Sequence, residues 1–231
     1  MKVFAISDLH LSGLVQKPMD IFGAGWEGHF EKIKADWLEK VTDDDVVLIG
    51  GDTSWGQKLE EGMYDVNSLQ GLPGKKVFVR GNHDFWWNGI SRVRSAAADS
   101  RFFFLQNDCV KIGNFIIAGS RGWACPGSAD FCEHDMTIYL REAERFKLAF
   151  QTVKKIREEG DILIALMHYP PCTVKAEDTL FTTLFEENQV DKVVFGHLHG
   201  GTYYPFRFEK SGITYHLTSC DKVKFSLVQI Y

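Results

Sequence analysis

Five apolar runs, each rich in β-branched residues, stop abruptly at a side chain that can hold a metal ion. Val3–Ile6 runs into Asp8-Leu9-His10, Val46–Ile49 into Gly51-Asp52, and Val77–Val79 into Gly81-Asn82-His83-Asp84. Ile162–Met167 ends at His168, and Val193–Phe195 at Gly196-His197-Leu198-His199. Runs of this length, bounded by turn formers, read as buried strands. Patterns at helical spacing lie between them. Phe30, Ile33, Trp37, Leu38 and Val41 mark one helix, Leu59, Met63, Val66 and Leu69 a second, and Ile90, Val93 and Ala97 a third. Met136 to Glu159 reads as the longest, with Tyr139, Ala143, Phe146, Phe150, Val153 and Ile156 as its apolar stripe and Gly160 as its stop. A short fifth helix centres on Leu180, Phe181, Leu184 and Phe185. Alternation of this kind makes an α/β protein. The polar clusters then fall at strand exits along one edge, where loops over a sheet gather ligands.

The last segment departs from the alternation. Tyr203–Phe208, Ile213–Leu217 and Val223–Ile230 read as antiparallel strands with a turn at Ser211-Gly212, so mixed sheets are expected. Ser12–Gly28 and Arg121–His134 read as irregular loops directly after strands, either surface excursions or parts of a site. With no repeat or linker, residues 1–231 are expected to form one domain with a sizeable core.

Charge and cysteine usage narrow the function. A net charge of -5 with no Lys/Arg run argues against affinity drawn from a nucleic-acid backbone. No apolar stretch is long enough to span a membrane, and Val3–Ile6 is too short for a secretory signal. The five cysteines are scattered, form no CxxC pair and are odd in number, which reads as reduced thiols and a cytoplasmic location.

Aspartate and histidine are ordinary ligands for Zn, Mn and Fe, and an asparagine carbonyl is a harder, neutral donor. Each cluster is weak alone: Asp-x-His occurs by chance, and Gly-Asn-His-Asp could be a plain turn. Together, in this order and each at a strand end, they point to a site holding two cations roughly 3.5–4 Å apart.

In these motifs the chain resembles the calcineurin-like metallophosphoesterase superfamily, closest in pattern to uncharacterised bacterial phosphohydrolases. The motifs run from residue 8 to residue 199. The resemblance implies a four-layer αββα sandwich, two mixed sheets face to face with helices outside. It implies that Asp8, His10 and His199 bind one metal, that Asn82, His168 and His197 bind the other, and that Asp52 bridges them. The two cofactor ions would be divalent, from among Mn, Fe, Zn and Ni. It makes His83 the catalytic histidine and gives Asp84 a supporting role in the same catalytic motif. The expected reaction is phosphoester hydrolysis, as a phosphodiesterase on a small or nucleotide-like substrate rather than as a protein phosphatase, by a metal-activated water with His83 near the leaving oxygen. A nuclease of the same superfamily and a non-catalytic metallo-scaffold are the competing readings. Every expected ligand position is filled, which disfavours the scaffold.

One departure bears on the substrate. Protein serine/threonine phosphatases carry Asp-Arg three and four residues after the bridging aspartate, and this chain has Trp55-Gly56. That removes a histidine-orienting acid and a phosphate-binding arginine. An indole at Trp55 also cannot serve as the metal-binding phenolate of purple acid phosphatases. Arg121 is a candidate substrate-phosphate clamp or else a structural ion-pair partner, and His29 a candidate substrate contact or else a loop residue. Trp86, Trp87 and Trp123 could stack on substrate or fill core. His134 and His216 are expected to be structural.

Overall fold

A computed structural model describes all residues, 1–231. The first sheet contains β1 (Val3–Ile6), β2 (Val46–Ile49), β3 (Lys75–Val79) and β4 (Phe102–Leu105). The second contains β5 (Asp108–Ile112), β6 (Phe115–Gly119), β7 (Ile162–Leu166), β8 (Lys192–Phe195), β9 (Arg207–Lys210) and β10 (Ile213–Leu217). The last strand, β11 (Val228–Gln229), returns to the first sheet, giving orders β11-β1-β2-β3-β4 and β5-β6-β7-β8-β10-β9. Neighbours from β1 to β4 are parallel, as are β6, β7, β8 and β10. The edge strands β11, β5 and β9 run antiparallel. Both sheets are therefore mixed.

Period-two alternation sorts the side chains into layers. Val3 and Ala5, with Val46, Leu48, Val77 and Val79, meet Ile117, Ile164, Leu166 and Val194 between the sheets. Phe4, Ile6, Val47, Ile49 and Phe78 face the other way. There they pack under α1 (His29–Lys40), α2 (Leu59–Asn67) and α3 (Ile90–Ala96) through Ile33, Trp37, Met63, Val66 and Val93. Behind the second sheet, α4 (Asp135–Ile156) and α5 (Leu180–Glu187) pack Phe146, Phe150, Phe181 and Phe185 against Leu163, Ala165, Val193 and Phe195. Both faces of each central strand are thus covered, which is why these strands read as unbroken apolar runs. The result is the expected sandwich of helices, two sheets and helices.

Three local expectations change. The segment expected as a strand at Tyr203–Phe208 becomes one only at Arg207–Lys210, where it makes a hairpin with β10. The two-residue turn is Ser211-Gly212, both with positive φ (52° and 77°), as that hairpin type demands. The expected strand Val223–Ile230 shrinks to Val228–Gln229. Residues 219–226 coil instead through successive turns, with Lys224 and Phe225 at φ 57° and 59°, and Asp36 accepts from the Ser226 hydroxyl and the Leu227 amide. The fourth helix ends at Ile156, short of Glu159, because Arg157 turns extended and its guanidinium reaches the carbonyls of Asn188 and Gln189. Strands β4 and β5 drew no expectation from the sequence.

One helix position pits propensity against packing. A Gly62→Ala change in α2 would gain up to about 1 kcal/mol of helix propensity. Its Cβ, however, would overlap the Trp86 indole, which is fully buried and whose Nε1 donates to Asp84 at 3.0 Å. Overpacking costs about 1–3 kcal/mol, so the variant is expected to be less stable than the parent in urea unfolding. An unchanged or raised midpoint would show that the Trp86–Asp84 pair is free to shift.

Candidate metal centre

The parallel strands of both sheets discharge their loops at one shared edge. β1 delivers Asp8 and His10, β2 delivers Asp52, β3 delivers Asn82 and His83, β7 delivers His168, and β8 delivers His197 and His199. Four of these residues hold left-handed backbone conformations: Asp8 (φ 60°), His10 (47°), Asp52 (50°) and His197 (72°). Such conformations cost non-glycine residues about 1–3 kcal/mol each and persist only where the surroundings impose them. Two motif glycines are required by crowding. A Cβ at Gly81 would strike the Asp52 carboxylate, and one at Gly196 would strike Ser7 and Asp8.

Two ligand groups converge. In the first, His199 Nε2 lies 3.3 Å from Asp8 Oδ1 and 3.3 Å from His10 Nε2. In the second, His168 Nε2 lies 2.7 Å from Asn82 Oδ1 and 3.3 Å from His197 Nδ1, which is itself 3.0 Å from Asn82 Oδ1. Asp52 Oδ2 stands between the groups, 4.0 Å from His10 Nε2 and 3.5 Å from His168 Nε2. Asp8 Oδ1 also comes within 4.0 Å of His168, but at Nδ1. That nitrogen donates to the Gly50 carbonyl at 2.9 Å, so the lone pair of His168 sits on Nε2 and faces Asp52 rather than Asp8.

This donor set fits a cation. His168 Nε2 and Asn82 Oδ1 are both acceptors, and two acceptors 2.7 Å apart repel unless a positive charge lies against them. Asp8 and Asp52 are at most 1% exposed, and their ion-pair partners are histidines rather than lysines or arginines. Burial and the charges of Asp84 and Asp8 push the Asp52 carboxyl well above the usual carboxylate range. Burial opposes ionisation of Asp8 too, but its hydrogen bond to His199 and the nearby His168 and His10 hold it far below that range. Burial lowers His10 and His197 to about 3 and His168 to about 4, which leaves these imidazoles neutral and free to ligate at pH 7. For His199 burial acts downward, but bonds to Asp221 and Asp8 outweigh it and raise the group to about 10.

The supporting groups are as specific as the ligands. Ser7 Oγ donates to Asp8 Oδ2 at 2.6 Å, and the His197 amide donates to both Asp8 oxygens. Asp221 receives His199 Nδ1–H at 2.8 Å and the Gly200 amide at 2.9 Å. Asp221 lies 22 residues beyond His199 in a plain Cys-Asp-Lys stretch, and no motif in the sequence marks it.

The remaining candidates separate. His83 donates its amide to Asp52 Oδ1 at 2.8 Å. Its ring is held by packing, 4.5 Å from the Trp55 ring and 5.8 Å from that of His10. Trp55 also stacks on His10 (4.7 Å, 17°) and carries Lys17 Nζ 3.0 Å from its centroid. Asp84 does not face the ligand atoms. It is fully buried and accepts the amides of Thr53, Ser54 and Gly81, so it ties the β2 exit to the β3 exit. His29 turns both ring nitrogens to backbone carbonyls, of Leu9 (2.9 Å) and Trp26 (3.2 Å), and so pins the loop of residues 12–28 instead of offering a free polar edge. Arg121 lies 3.5 Å from Glu142, a buried carboxylate it shares with Arg141 and Arg145, and its guanidinium covers Trp123. Trp86 and Trp87 are core, at 0% and 1% exposure.

Comparison with known proteins places the chain among metallophosphoesterases. Two uncharacterized metallophosphoesterases from strains of Helicobacter pylori are 24% and 23% identical over 214 residues. The aligned stretch is 89% of this chain but 46% of theirs, so the chain spans about half the length of these relatives. Among solved structures, the phosphopantetheinyl hydrolase of Mycobacterium tuberculosis is 13% identical with a TM-score of 0.56, covering 99% of this chain and 95% of its own. A protein of Thermus thermophilus is 12% identical with a TM-score of 0.59, covering 98% and 96%. Similarities at these identities speak for the fold alone. The calcineurin-like phosphoesterase family model matches residues 1–201, a span that runs from β1 through the His197–His199 loop and takes in both ligand groups. The chain belongs to the calcineurin-like phosphoesterase family.

Proposed function

We propose that the chain is a dinuclear metal-dependent phosphodiesterase acting on a small or nucleotide-like substrate. The observation that carries this reading is the convergence of two groups of candidate ligands, each reaching within 4.0 Å of Asp52 Oδ2. Asp8, His10 and His199 would hold one divalent ion, Asn82, His168 and His197 the other, with Asp52 within reach of both groups. When bound, the ions activate a water at neutral pH and neutralise charge developing at phosphorus. An oxygen- and imidazole-rich set of this kind accepts Mn, Fe, Zn or Ni. The Asp52 carboxylate anchors the His83 amide, and the Trp55 and His10 rings hold the imidazole at the edge of the centre. From there His83 protonates the leaving oxygen as its bond to phosphorus breaks.

Asp52 and His83 are expected to fail differently. After chelation and reconstitution with Mn, Asp52→Asn loses one ion or both, with activity, because the shared negative charge is gone. His83→Ala keeps both ions and loses roughly 10²–10⁴ in kcat. Metal analysis beside steady-state rates decides it. Tight retention of two ions by Asp52→Asn would remove the bridge, and normal turnover by His83→Ala would remove the acid.

Asp221 orients His199 as a carboxylate–histidine pair. Its replacement by asparagine is expected to weaken the affinity for Mn about 10–100-fold while leaving the thermal midpoint of the chelated protein nearly unchanged. Unaltered affinity in a metal titration would make Asp221 a loop anchor only.

Trp55 and Gly56 leave no arginine to meet the extra charge of a monoester. The kcat/KM for bis-p-nitrophenyl phosphate is therefore expected to exceed that for p-nitrophenyl phosphate. A preference for the monoester of about tenfold, or about 1.4 kcal/mol, would overturn the diesterase assignment.

A further inference from the structure

Two cavities open on opposite halves of the candidate centre, and each is walled by one of the long irregular loops. The first, about 370 Å³, reaches His10, His83 and His199. Met19, Phe22 and Trp26, from the loop of residues 12–28, form its apolar wall with Trp55. The second, about 360 Å³, reaches His197 of the other ligand group. Tyr169, Val174, Tyr203 and Tyr204 line it, with Ala124 and Ala129 from the loop of residues 121–134. Both volumes fall in the range of small-ligand sites, about 300–1,000 Å³.

The walls share a second property. Neither contains a lysine or an arginine, although the chain has 26 of them. Each instead carries one carboxylate, Asp221 beside His199 and Asp130 in the loop that follows β6. Lys17 Nζ lies 3.0 Å from the Trp55 ring centroid and Lys222 Nζ donates to the Gly200 and Thr202 carbonyls, but the residues facing the two cavities are largely apolar and favour an apolar group. Phe22 and Tyr203 are 60% and 83% exposed, large apolar surfaces left at the two mouths.

We infer that the two cavities are arm subsites for an unsymmetrical phosphodiester whose two organic arms are largely apolar, each of about nucleoside size. This rests on the phosphodiesterase reading above. With phosphorus at the ligand centre, one arm lies on the His83 side and the other on the His197 side. The leaving arm is the one beside His83. Its bond to phosphorus breaks, the freed oxygen takes a proton from His83, and a water oxygen forms the new bond to phosphorus, its proton passing to solvent, from which His83 is reprotonated. The arm over Tyr169 and Tyr203 stays on the monoester product.

Thymidine 5′-p-nitrophenyl phosphate and methyl p-nitrophenyl phosphate share a leaving group and differ in the retained arm, so the ratio of their kcat/KM values reads the His197-side cavity alone. The parent protein, loaded with Mn, is expected to favour the thymidine ester. Val174→Trp, which narrows that cavity at a half-exposed position, is expected to lower the ratio about tenfold. Phe22→Ala, on the leaving side, is expected to depress both rates and leave the ratio where it was. A ratio unmoved by Val174→Trp, or moved equally by Phe22→Ala, overturns the assignment of arms to cavities. Absence of hydrolysis of either ester by the Mn-loaded parent is a different result and overturns the phosphodiesterase reading itself.

Discussion

Everything at the ligand edge follows from three aspartates brought into contact range and out of water. Asp8, Asp52 and Asp84 are each at most 1% exposed, and burial and the charges of Asp84 and Asp8 drive the Asp52 carboxyl upward. Buried carboxylates survive only with partners. Asp84 finds its partners in backbone amides and an indole N–H, and Asp8 in Ser7, His197 and His199. Asp52 has only the His83 amide at 2.8 Å, and its other oxygen looks toward two imidazoles made neutral by burial. The fold thus leaves one carboxylate undersupplied at the midpoint of two ligand groups. The left-handed backbones of Asp8, His10, Asp52 and His197 are the strain that keeps it so, and the dry layer of valines, leucines and isoleucines between the sheets is what holds that strain in place.

The parts legible in the sequence are those set by a single period or a single residue type. Val3–Ile6 and Val46–Ile49 are covered on both faces, so apolar continuity alone revealed them, and the stripe from Tyr139 to Val153 revealed the longest helix. The ligands were legible because each must stand at the end of such a run. Asp221 was not, because its position is fixed by a coil whose course depends on Asp36 and Cys220, residues whose contacts are distant in sequence. The coil also defeated the strand reading of Val223–Ile230: alternation placed Phe225 and Leu227 on one face, and both are buried, but left-handed backbone at Lys224 and Phe225 breaks any ladder there. Strand β5 escaped notice for a related reason, since Asp108, Cys109, Val110 and Lys111 are all half-buried on an edge and show no clean contrast.

The aromatic residues divide by geometry rather than by type. Trp86 and Trp87 lie deep under the first sheet and contribute area burial, and Trp86 alone adds a hydrogen bond to Asp84. Trp55 has become a spacer, with His10 and His83 packed against it and an ammonium over its ring, so an apolar side chain sets the angle of two imidazoles. Tyr169 does the same for His197 at 4.2 Å. Packing of this kind is stiff without competing for the lone pairs that the ligands must keep free.

The return of β11 to β1 carries a consequence for biosynthesis. Phe4 pairs with Gln229, so β1 waits for a strand made long after it before its outer edge is closed. The stretch between them also brings the Cys220 thiol to the Asp8 carbonyl and Asp221 to His199. A nascent chain that has already made every candidate ligand therefore still presents a bare β1 edge and an unsupported His199. Edges of that kind recruit foreign strands, and pairings across the whole chain form late. Closure of the seam and support of His199 by Asp221 therefore both come after every candidate ligand has been made.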